Sequence, residues 1–391
     1  MPDAATIDAM LRGAVEAGAV PGLVAMAADR GGVIYQGAFG RRGLDGPAPM
    51  TLDTVFWIAS MTKAVTSVAA MQLVEEGRLA LDAPLGALLP ELAAPQVLEG
   101  FDASGTPRLR PARRPITLRH LLTHTAGFAY NTWNAEMARY MALTGLPAAR
   151  TGRLEALRAP LVFDPGERWE YGIATDWAGR AVEAASGQRL DAVMRDRILA
   201  PLGMIDTGYV PGPSQEARRA SLHQRGADGS LAPIAFELPR EPEFFGGGGG
   251  LLSTGLDYLR FLRMLLNGGT LDGARLLRPE TVAEMGRNQI GGLAFRPMRS
   301  ALPALSNDVD PFPGMTCRWG LDFLLNEEDV PGRRSAGSLA WAGLGNTWFW
   351  IDPRRGLAGL LMTQILPFAD PAVLDLLARF EAGLHAGLTK T

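Results

Sequence analysis

Apolar residues recur at spacings of three and four in several stretches of this chain, a pattern that predicts α-helices with a buried face. After Ser60, positions 61, 64, 65, 68, 71 and 74 follow this spacing, and Gly77 is placed to end the helix. Further helices are predicted over residues 5–18, 117–123, 135–145, 151–159, 174–186, 190–199, 256–267 and 370–386. Helices therefore dominate the middle of the chain.

Runs typical of β-strands lie towards both ends. Residues 22–29 and 32–39 predict a hairpin that turns at Arg30-Gly31, and more strands are predicted over 316–325, 338–342, 346–351 and 357–364. Residues 79–115 and 210–245 lack periodicity and are predicted to be loops and irregular chain. This order predicts an α/β (α+β) fold, with a sheet-containing lobe from residues 1–78 and 240–391 and a mainly helical lobe from residues 79–239.

Composition and charge exclude several classes of protein. The chain has 391 residues, 47% hydrophobic and 20% charged, as in an ordinary globular protein. Its formal net charge is −3, and basic and acidic residues are interspersed along the chain, so no nucleic-acid partner is expected. No apolar run has the length of a membrane span, and residues 1–20 do not resemble a secretory signal. We therefore expect no membrane partner and a cytoplasmic protein, or a periplasmic one if a leader was removed; the oligomeric state is not indicated.

Cysteine, histidine and glycine usage limits the chemistry further. Cys317 is the only cysteine, and its strand-like neighbours favour a buried structural thiol. His120 and His124 have the spacing of a metal pair, but no glutamate or cysteine ligand accompanies them, which favours a structural role at a helix end. No Gly-Lys-Ser/Thr follows the glycines at 246–250, so they predict close backbone packing instead of nucleotide binding. No metal and no cofactor is predicted.

Ser60 and Lys63 are the strongest candidates for chemistry. Residues three apart are neighbours on a helix, so the hydroxyl and the amine can touch. Of the 38 basic residues, only Lys63 and Lys390 are lysines. A lysine kept in an apolar stretch suggests a task that arginine cannot perform, namely releasing a proton. On these residues alone, the alternative is that Ser60 caps the helix and Lys63 lies at the surface.

A serine nucleophile in this chain would need a base other than histidine, because no serine lies in a Gly-x-Ser-x-Gly turn. A free lysine titrates at ~10.4, so Lys63 must be desolvated or placed beside another cation or a phenol to share the proton. Tyr171 is the favoured phenol, since a turn that begins at Asp164 delivers it just before a predicted helix. A half-buried packing role would also fit Tyr171 taken alone.

Five motifs occur in the order found in serine β-lactamase-related proteins. They are Ser60-Met-Thr-Lys63, Leu121-Leu-Thr-His-Thr-Ala-Gly127, the Pro165-Gly-x-x-Trp-x-Tyr171 turn, the glycine run that ends in Leu-Ser-Thr254, and Trp341-Ala-Gly343. The chain resembles the class C β-lactamase and penicillin-binding-protein group and, within it, the family VIII carboxylesterases. This resemblance, over residues 54–345, implies a β-lactamase/transpeptidase-like fold: an antiparallel sheet flanked by helices, a mainly helical lobe, and an active site in the cleft between lobes.

The resemblance also implies roles for individual residues. Ser60 would attack an ester carbonyl, while Lys63 and Tyr171 would relay its proton to the leaving alcohol. The backbone N–H groups of Ser60 and Leu344 would form the oxyanion hole. Water would then hydrolyse the acyl-enzyme, which makes the expected activity that of a serine hydrolase.

Two departures from the β-lactamase pattern predict the substrate class. Trp341 stands where a Lys-Thr-Gly element has its lysine, so the Trp341-Ala342-Gly343 segment would border the substrate with an aromatic wall in place of a cation. Ile173 stands two residues after Tyr171, where an asparagine amide is common. Both changes favour uncharged, fairly apolar esters with short to medium acyl groups, and hence a carboxylesterase.

Two alternatives remain open. The same fold and acyl-enzyme would support hydrolysis of β-lactams or D-amino-acid peptides, or acyl transfer to an acceptor alcohol. The second alternative is a non-catalytic ligand-binding homologue. The presence of Ser60, Lys63 and Tyr171 together argues against that second alternative.

Overall fold

The computed structural model describes residues 3–388. Its α-helices are α1 (Ala4–Glu16), α2 (Thr62–Glu75), α3 (Leu118–Leu122), α4 (Ala135–Thr144), α5 (Ala174–Ser186), α6 (Leu190–Met194), α7 (Pro213–Glu216), α8 (Gly255–Leu266), α9 (Pro279–Met285) and α10 (Pro371–Leu388). Short 3₁₀ turns span Ala59–Met61, Leu85–Ala87, Pro90–Leu92, Ala149–Thr151 and Leu154–Arg158, and a π-helical turn, Arg195–Leu199, extends α6.

The strands form one large sheet and several small ones. They are β1 (Gly22–Asp29), β2 (Val33–Gly40), β3 (Phe56–Trp57), β4 (Gln96–Phe101), β5 (Pro107–Pro111), β6 (Leu222–Arg225), β7 (Leu231–Ile234), β8 (Leu252–Ser253), β9 (Thr270–Leu271), β10 (Ala274–Arg275), β11 (Cys317–Trp319), β12 (Leu324–Asn326), β13 (Leu339–Gly343), β14 (Thr347–Asp352), β15 (Leu357–Met362) and β16 (Ile365–Leu366). The large sheet has the order β11-β12-β13-β14-β15-β1-β2, and every neighbouring pair is antiparallel.

Helices cover this sheet, which joins the two ends of the chain. β1 pairs with β15, so an early strand lies beside one of the last. β13, β14 and β15 are buried at every position. Helix α8 packs on β1 and β15, and α1 packs on β2 and α10. The antiparallel sheet flanked by helices confirms the predicted fold class.

Helix α2 runs through the core. All residues from Thr62 to Leu73 are buried. Gly77 has φ 71°, and its N–H donates to the Val74 carbonyl at 3.0 Å, so the helix ends as its glycine predicted. A helix that is buried on all sides holds its N-terminal residues in a fixed position.

Several predicted elements were wrong. Residues 79–115, expected to be loops, contain the β4–β5 hairpin, and residues 210–245 contain α7 and the β6–β7 hairpin. The pairing register shifts between Leu98 and Phe101, and β5 both begins and ends with proline, so neither strand shows a clean alternation in the sequence. β6 also pairs in parallel with β16, a partner that lies far along the chain.

Other differences concern the type of element. The predicted strand 316–325 is two strands, β11 and β12, joined by a turn in which Asp322 has φ 66°. The predicted helix 151–159 is replaced by 3₁₀ turns, and only the first half of helix 190–199 is α-helical. The division into lobes at 78/79 and 239/240 stays a prediction. Among residues 3–388, no helix is both long and apolar enough to cross a membrane.

Candidate active site

Ser60 lies in a tight turn between β3 and α2. The preceding residue, Ala59, has φ 43°, in the left-handed region that residues with a side chain rarely adopt. Ile58 anchors the turn: its N–H donates to the Leu251 carbonyl at 3.1 Å, and its carbonyl accepts the Met61 N–H at 2.9 Å. Because α2 continues directly from this turn, Ser60 is held at the N-terminal end of a buried helix, where backbone N–H groups are free of helical partners.

Lys63 is fully buried one helical turn after Ser60. Its Nζ donates to Ser60 Oγ at 3.2 Å, to Tyr130 Oη at 3.1 Å and to the Gly248 carbonyl at 2.6 Å. The three N–H groups of an ammonium thus have three acceptors. The structure therefore places the serine hydroxyl and the lysine amine in direct contact.

The surroundings of Lys63 decide its charge. Burial alone would lower the pKa of Lys63. The phenol oxygens of Tyr130 and Tyr171 act in the opposite direction, as does the carboxylate of Asp176, and together they raise the pKa of this lysine above its usual range. Burial raises the pKa of Tyr130, so this phenol keeps its proton. At rest the site holds a lysine ammonium beside a neutral phenol.

Tyr130 is a site residue that the sequence did not single out. Besides its bond to Lys63, its ring centre lies 5.2 Å from that of Tyr171, and its N–H donates to the Tyr171 carbonyl at 3.1 Å. The only signal in the sequence was its place three residues after Gly127, the end of a family motif. Nothing in the spacing between positions 63 and 130 indicates a contact.

Tyr171 and Trp341 form a buried pair next to Lys63. Trp341 Nε1 donates to Tyr171 Oη at 2.9 Å, and Lys63 Nζ lies 4.8 Å from the centre of the Tyr171 ring. Among the described residues, Trp341 is not part of the lining of the cavity beside Ser60, so its role as a wall of the substrate site stays a prediction.

The end of β13 packs against the turn that holds Ser60. A Cβ on Gly343 would lie 2.2 Å from the Ile58 carbonyl oxygen, so only glycine allows this approach. Ala342 is buried in the same strand, and Leu344 follows it into the cavity lining. This proximity supports the oxyanion hole proposed for the N–H groups of Ser60 and Leu344, which stays a prediction.

Two buried aspartates, Asp176 and Asp322, lie near the Ser60 site, and Asp176 also lines the cavity described below. Asp176 Oδ1 accepts the Gly248 N–H at 2.8 Å. Asp322 Oδ1 accepts the Thr175 hydroxyl at 3.0 Å and lies 3.4 Å from His124 Nε2. Burial raises the pKa of both carboxyl groups, that of Asp322 strongly, and lowers the pKa of His124 well below its usual range. His124 is therefore a neutral imidazole.

The two histidines of the i, i+4 pair, His120 and His124, make different contacts. His120 Nδ1 accepts the Thr117 N–H at 3.3 Å and the Thr117 hydroxyl accepts the His120 N–H at 3.2 Å, a capping box that confirms the predicted brace at a helix end. The His124 ring packs on Tyr171 at 4.7 Å between centres.

Between residues 3 and 388, no three His, Cys, Asp or Glu side chains are arranged to hold a metal ion. Cys317 is buried as expected, and burial raises the pKa of its thiol to about 12.

A cavity of about 510 Å³ opens beside Ser60. Among the residues that line it, only Arg150 and Asp176 are charged. Much of the lining comes from the loop before α4, from α4 and the turns that follow it, and from the chain before and through the glycine run. Its large apolar members include Trp57, Trp133, Met137, Met141, Leu146, Ile173, Phe236, Leu238, Phe244 and Leu344.

Known proteins of similar sequence and structure cover nearly the whole chain. A family model described as Beta-lactamase matches residues 7–384. Monacolin J acid methylbutanoyltransferase of Aspergillus terreus is 37% identical over 97% of this chain and 95% of that protein. Lovastatin esterase of Penicillium rubens is 36% identical over 97% of this chain and 98% of its own. Unliganded simvastatin synthase from Aspergillus terreus has a TM-score of 0.87 at 35% identity, over 99% of each chain.

Proposed function

This chain belongs to the β-lactamase family of serine hydrolases and acyltransferases, and from that premise we propose that it forms an acyl-enzyme on Ser60 and transfers the acyl group to a bulky, apolar alcohol. Family and fold are those that the sequence motifs indicated. The proposal departs from the carboxylesterase expected from Trp341 and Ile173, because the relative with 37% identity is named for acyl transfer.

In the acylation step, Ser60 Oγ forms a bond to the carbonyl carbon of an acyl donor, and the bond from that carbon to the leaving alcohol breaks. The reactive form of the site has lost the resting proton of Lys63, and in that form Tyr171 and Lys63 take the proton from Ser60 and deliver it to the leaving oxygen, so the charge of the site is the same before and after the step. The N–H groups of Ser60 and Leu344 hold the negative oxygen of the tetrahedral intermediate.

Deacylation repeats these steps with a new nucleophile. The hydroxyl of the acceptor alcohol attacks the acyl carbon, its proton passes through Tyr171 and Lys63 to Ser60 Oγ, and the bond between serine and acyl group breaks. The products are a new ester and the free enzyme. If water takes the place of the alcohol, the product is a carboxylic acid.

The observation that carries the proposal is the apolar cavity of about 510 Å³ against Ser60. Ligand sites of this volume enclose molecules of drug size. A short ester alone would leave most of the space to water, whereas a large apolar alcohol would fill it and keep water from the acyl-enzyme. Side chains such as Trp133, Met141 and Phe236 supply the contact surface for that alcohol.

Ester hydrolysis is the second candidate function. It is favoured by the 36% identity to lovastatin esterase and by the expected preference for uncharged esters of short to medium acyl chains. Both functions use the same acyl-enzyme and differ only in the group that removes the acyl chain. The ratio of alcohol to water attack therefore separates them.

The test is a partition experiment with nitrophenyl butyrate as donor and a decalin alcohol as acceptor. We expect the alcohol to be butyrylated, with less butyric acid formed, and we expect a fluorophosphonate to label Ser60 in intact-mass measurement. Ser60→Ala should lose turnover by at least about 10³-fold. Ser67→Ala is the matched control, since Ser67 is a buried serine on the same helix, and its hydroxyl donates to the Leu321 carbonyl.

Three outcomes would contradict the proposal. Butyric acid as the only product would leave ester hydrolysis as the function. Faster turnover of a chromogenic cephalosporin than of the ester would favour a β-lactamase. Absence of the fluorophosphonate label from Ser60 would favour a non-catalytic ligand-binding protein.

A further inference from the structure

One residue of the main chain connects a buried carboxylate to Lys63. The Gly248 carbonyl accepts Lys63 Nζ at 2.6 Å, while the Gly248 N–H donates to Asp176 Oδ1 at 2.8 Å. Lys63 is 0% exposed and Asp176 is 3% exposed. The ammonium and the carboxylate are thus both buried and bind the same backbone residue, at the edge of the cavity beside Ser60.

The glycine run at 246–250 allows this arrangement. A Cβ on Gly248 would lie 2.9 Å from Asp176 Oδ2 and 3.0 Å from Tyr130 Oη, and a Cβ on Gly246 would lie 3.0 Å from Asp176 Oδ1. Any side chain at these positions would crowd the loop against Asp176. The sequence predicted close backbone packing here, and the structure identifies Asp176 as a main partner of that packing.

The buried ammonium also needs a counter-charge. All three acceptors of Lys63 are neutral groups: a hydroxyl, a phenol and a carbonyl. Of the two buried carboxyl groups nearby, Asp322 has one oxygen, Oδ2, without a hydrogen-bond partner among residues 3–388. An unpaired anionic oxygen in this buried position would be costly, which makes Asp322 a neutral acid. Asp176, bound by a backbone N–H, remains as the anion.

We propose that Asp176 is a positioning residue for acylation, which fixes the Gly248 carbonyl against Lys63 and supplies the negative charge that holds the lysine proton at rest. This inference rests on the proposed function, because it concerns the group that activates Ser60. Asp176 acts on Ser60 through Lys63. Its loss should therefore change the pH at which Ser60 becomes reactive.

The direction of that change follows from the charges around Asp176. The carboxylate of Asp176 raises the pKa of each titratable group that faces it, which are Lys63, Tyr130, Tyr209 and Asp322. Tyr171 and His124 lie beyond them, next to Lys63 and Asp322. Whether Lys63 or a phenol accepts the serine proton, that base becomes available at lower pH once the charge is removed. In a plot of the rate of Ser60 labelling against pH, the acidic limb should therefore move to lower pH.

The experiment measures the second-order rate of Ser60 labelling by a fluorophosphonate between pH 5 and pH 10. In Asp176→Asn, we expect the acidic limb to move to lower pH by about one unit or more. In Asp322→Asn, the acidic limb should stay at the same pH as in the natural protein. Asp257→Asn is the matched control: Asp257 is also buried, but on α8, where it accepts the Asp206 N–H at 2.8 Å.

A limb that stays in place in folded Asp176→Asn, or moves to higher pH, would overturn the inference. If thermal melting shows that this variant does not fold, Gly248→Ala replaces it. The added Cβ displaces the same carbonyl and N–H, so the limb should again move to lower pH, and an unmoved limb would again overturn the inference. Absence of labelling in the natural protein would instead refute the proposed function, so the two failures are distinguishable.

Discussion

The two sides of Ser60 are built from opposite kinds of residues. On one side, buried polar groups are hydrogen-bonded to one another or to the backbone: Lys63 binds Tyr130, Tyr171 binds Trp341, and Asp176 binds the Gly248 N–H. Tyr130 and Asp176 lie at the border and also line the cavity. On the other side lies the cavity of about 510 Å³, with a largely apolar lining. The first region supplies proton donors and acceptors, whereas the second offers a ligand few charged groups.

This difference separates the chemistry from the choice of substrate. In a buried polar network, removing one member leaves its partners unsatisfied, so the loss is large and affects every substrate. Apolar contacts act in proportion to the area they bury, so a change in the cavity should matter only for substrates that reach it. Substitutions on the two sides should therefore differ in size and in selectivity.

The largest effect is expected from Lys63→Arg. A guanidinium keeps its proton and is too large for the space, so kcat/KM for nitrophenyl butyrate should fall on the order of 10³-fold. Arg78→Lys, an exposed exchange just beyond α2, is the control and should behave as the natural protein does. Substantial activity in Lys63→Arg would show that this position needs only a positive charge.

Replacing Tyr171 by phenylalanine should lower kcat more than replacing Tyr130. The phenol oxygen of Tyr171 accepts the Trp341 N–H, whereas burial raises the pKa of Tyr130 and holds its proton. We expect Tyr171→Phe to lower kcat about 10²-fold or more and Tyr130→Phe to lower it about 10-fold. The reverse order would make Tyr130 the proton relay and Tyr171 a packing residue.

A smaller effect is expected from Trp341→Phe. The change keeps an aromatic ring but removes the N–H that binds Tyr171, so kcat should fall about 10-fold. Trp348→Phe is the matched control, because the Trp348 N–H is buried without a partner among residues 3–388. Equal losses in the two variants would show that the bond to Tyr171 has no part in the reaction.

The smallest and most selective effect is expected in the cavity. Met141→Ala should raise KM for a decalin alcohol about 3- to 10-fold while hydrolysis of nitrophenyl acetate stays unchanged. Leu143→Ala is the control, since Leu143 lies on the same helix and is 55% exposed. An equal loss on the small ester would mean that the cavity wall also supports the chemistry.

The sequence predicted those parts of the site that depend on local spacing. Ser60 and Lys63 are three residues apart on a helix, a spacing that predicts their contact. The buried strands between 339 and 362 were predicted from runs of apolar residues. The β4–β5 hairpin was missed because prolines and a register shift hide its alternation. Tyr130 and Asp176 were missed for another reason, since each looks like an ordinary residue in its own segment.

By itself, then, the sequence determined the family, the order of the main elements and the contact between Ser60 and Lys63. These depend on the order of motifs along the chain and on the spacing of residues within one helix. The tertiary structure decided which phenol binds Lys63, which aspartate faces Gly248 and that Trp341 binds Tyr171. Residues 63, 130, 171, 248 and 341 come from separate parts of the chain, and only packing brings their side chains and backbone within hydrogen-bond distance.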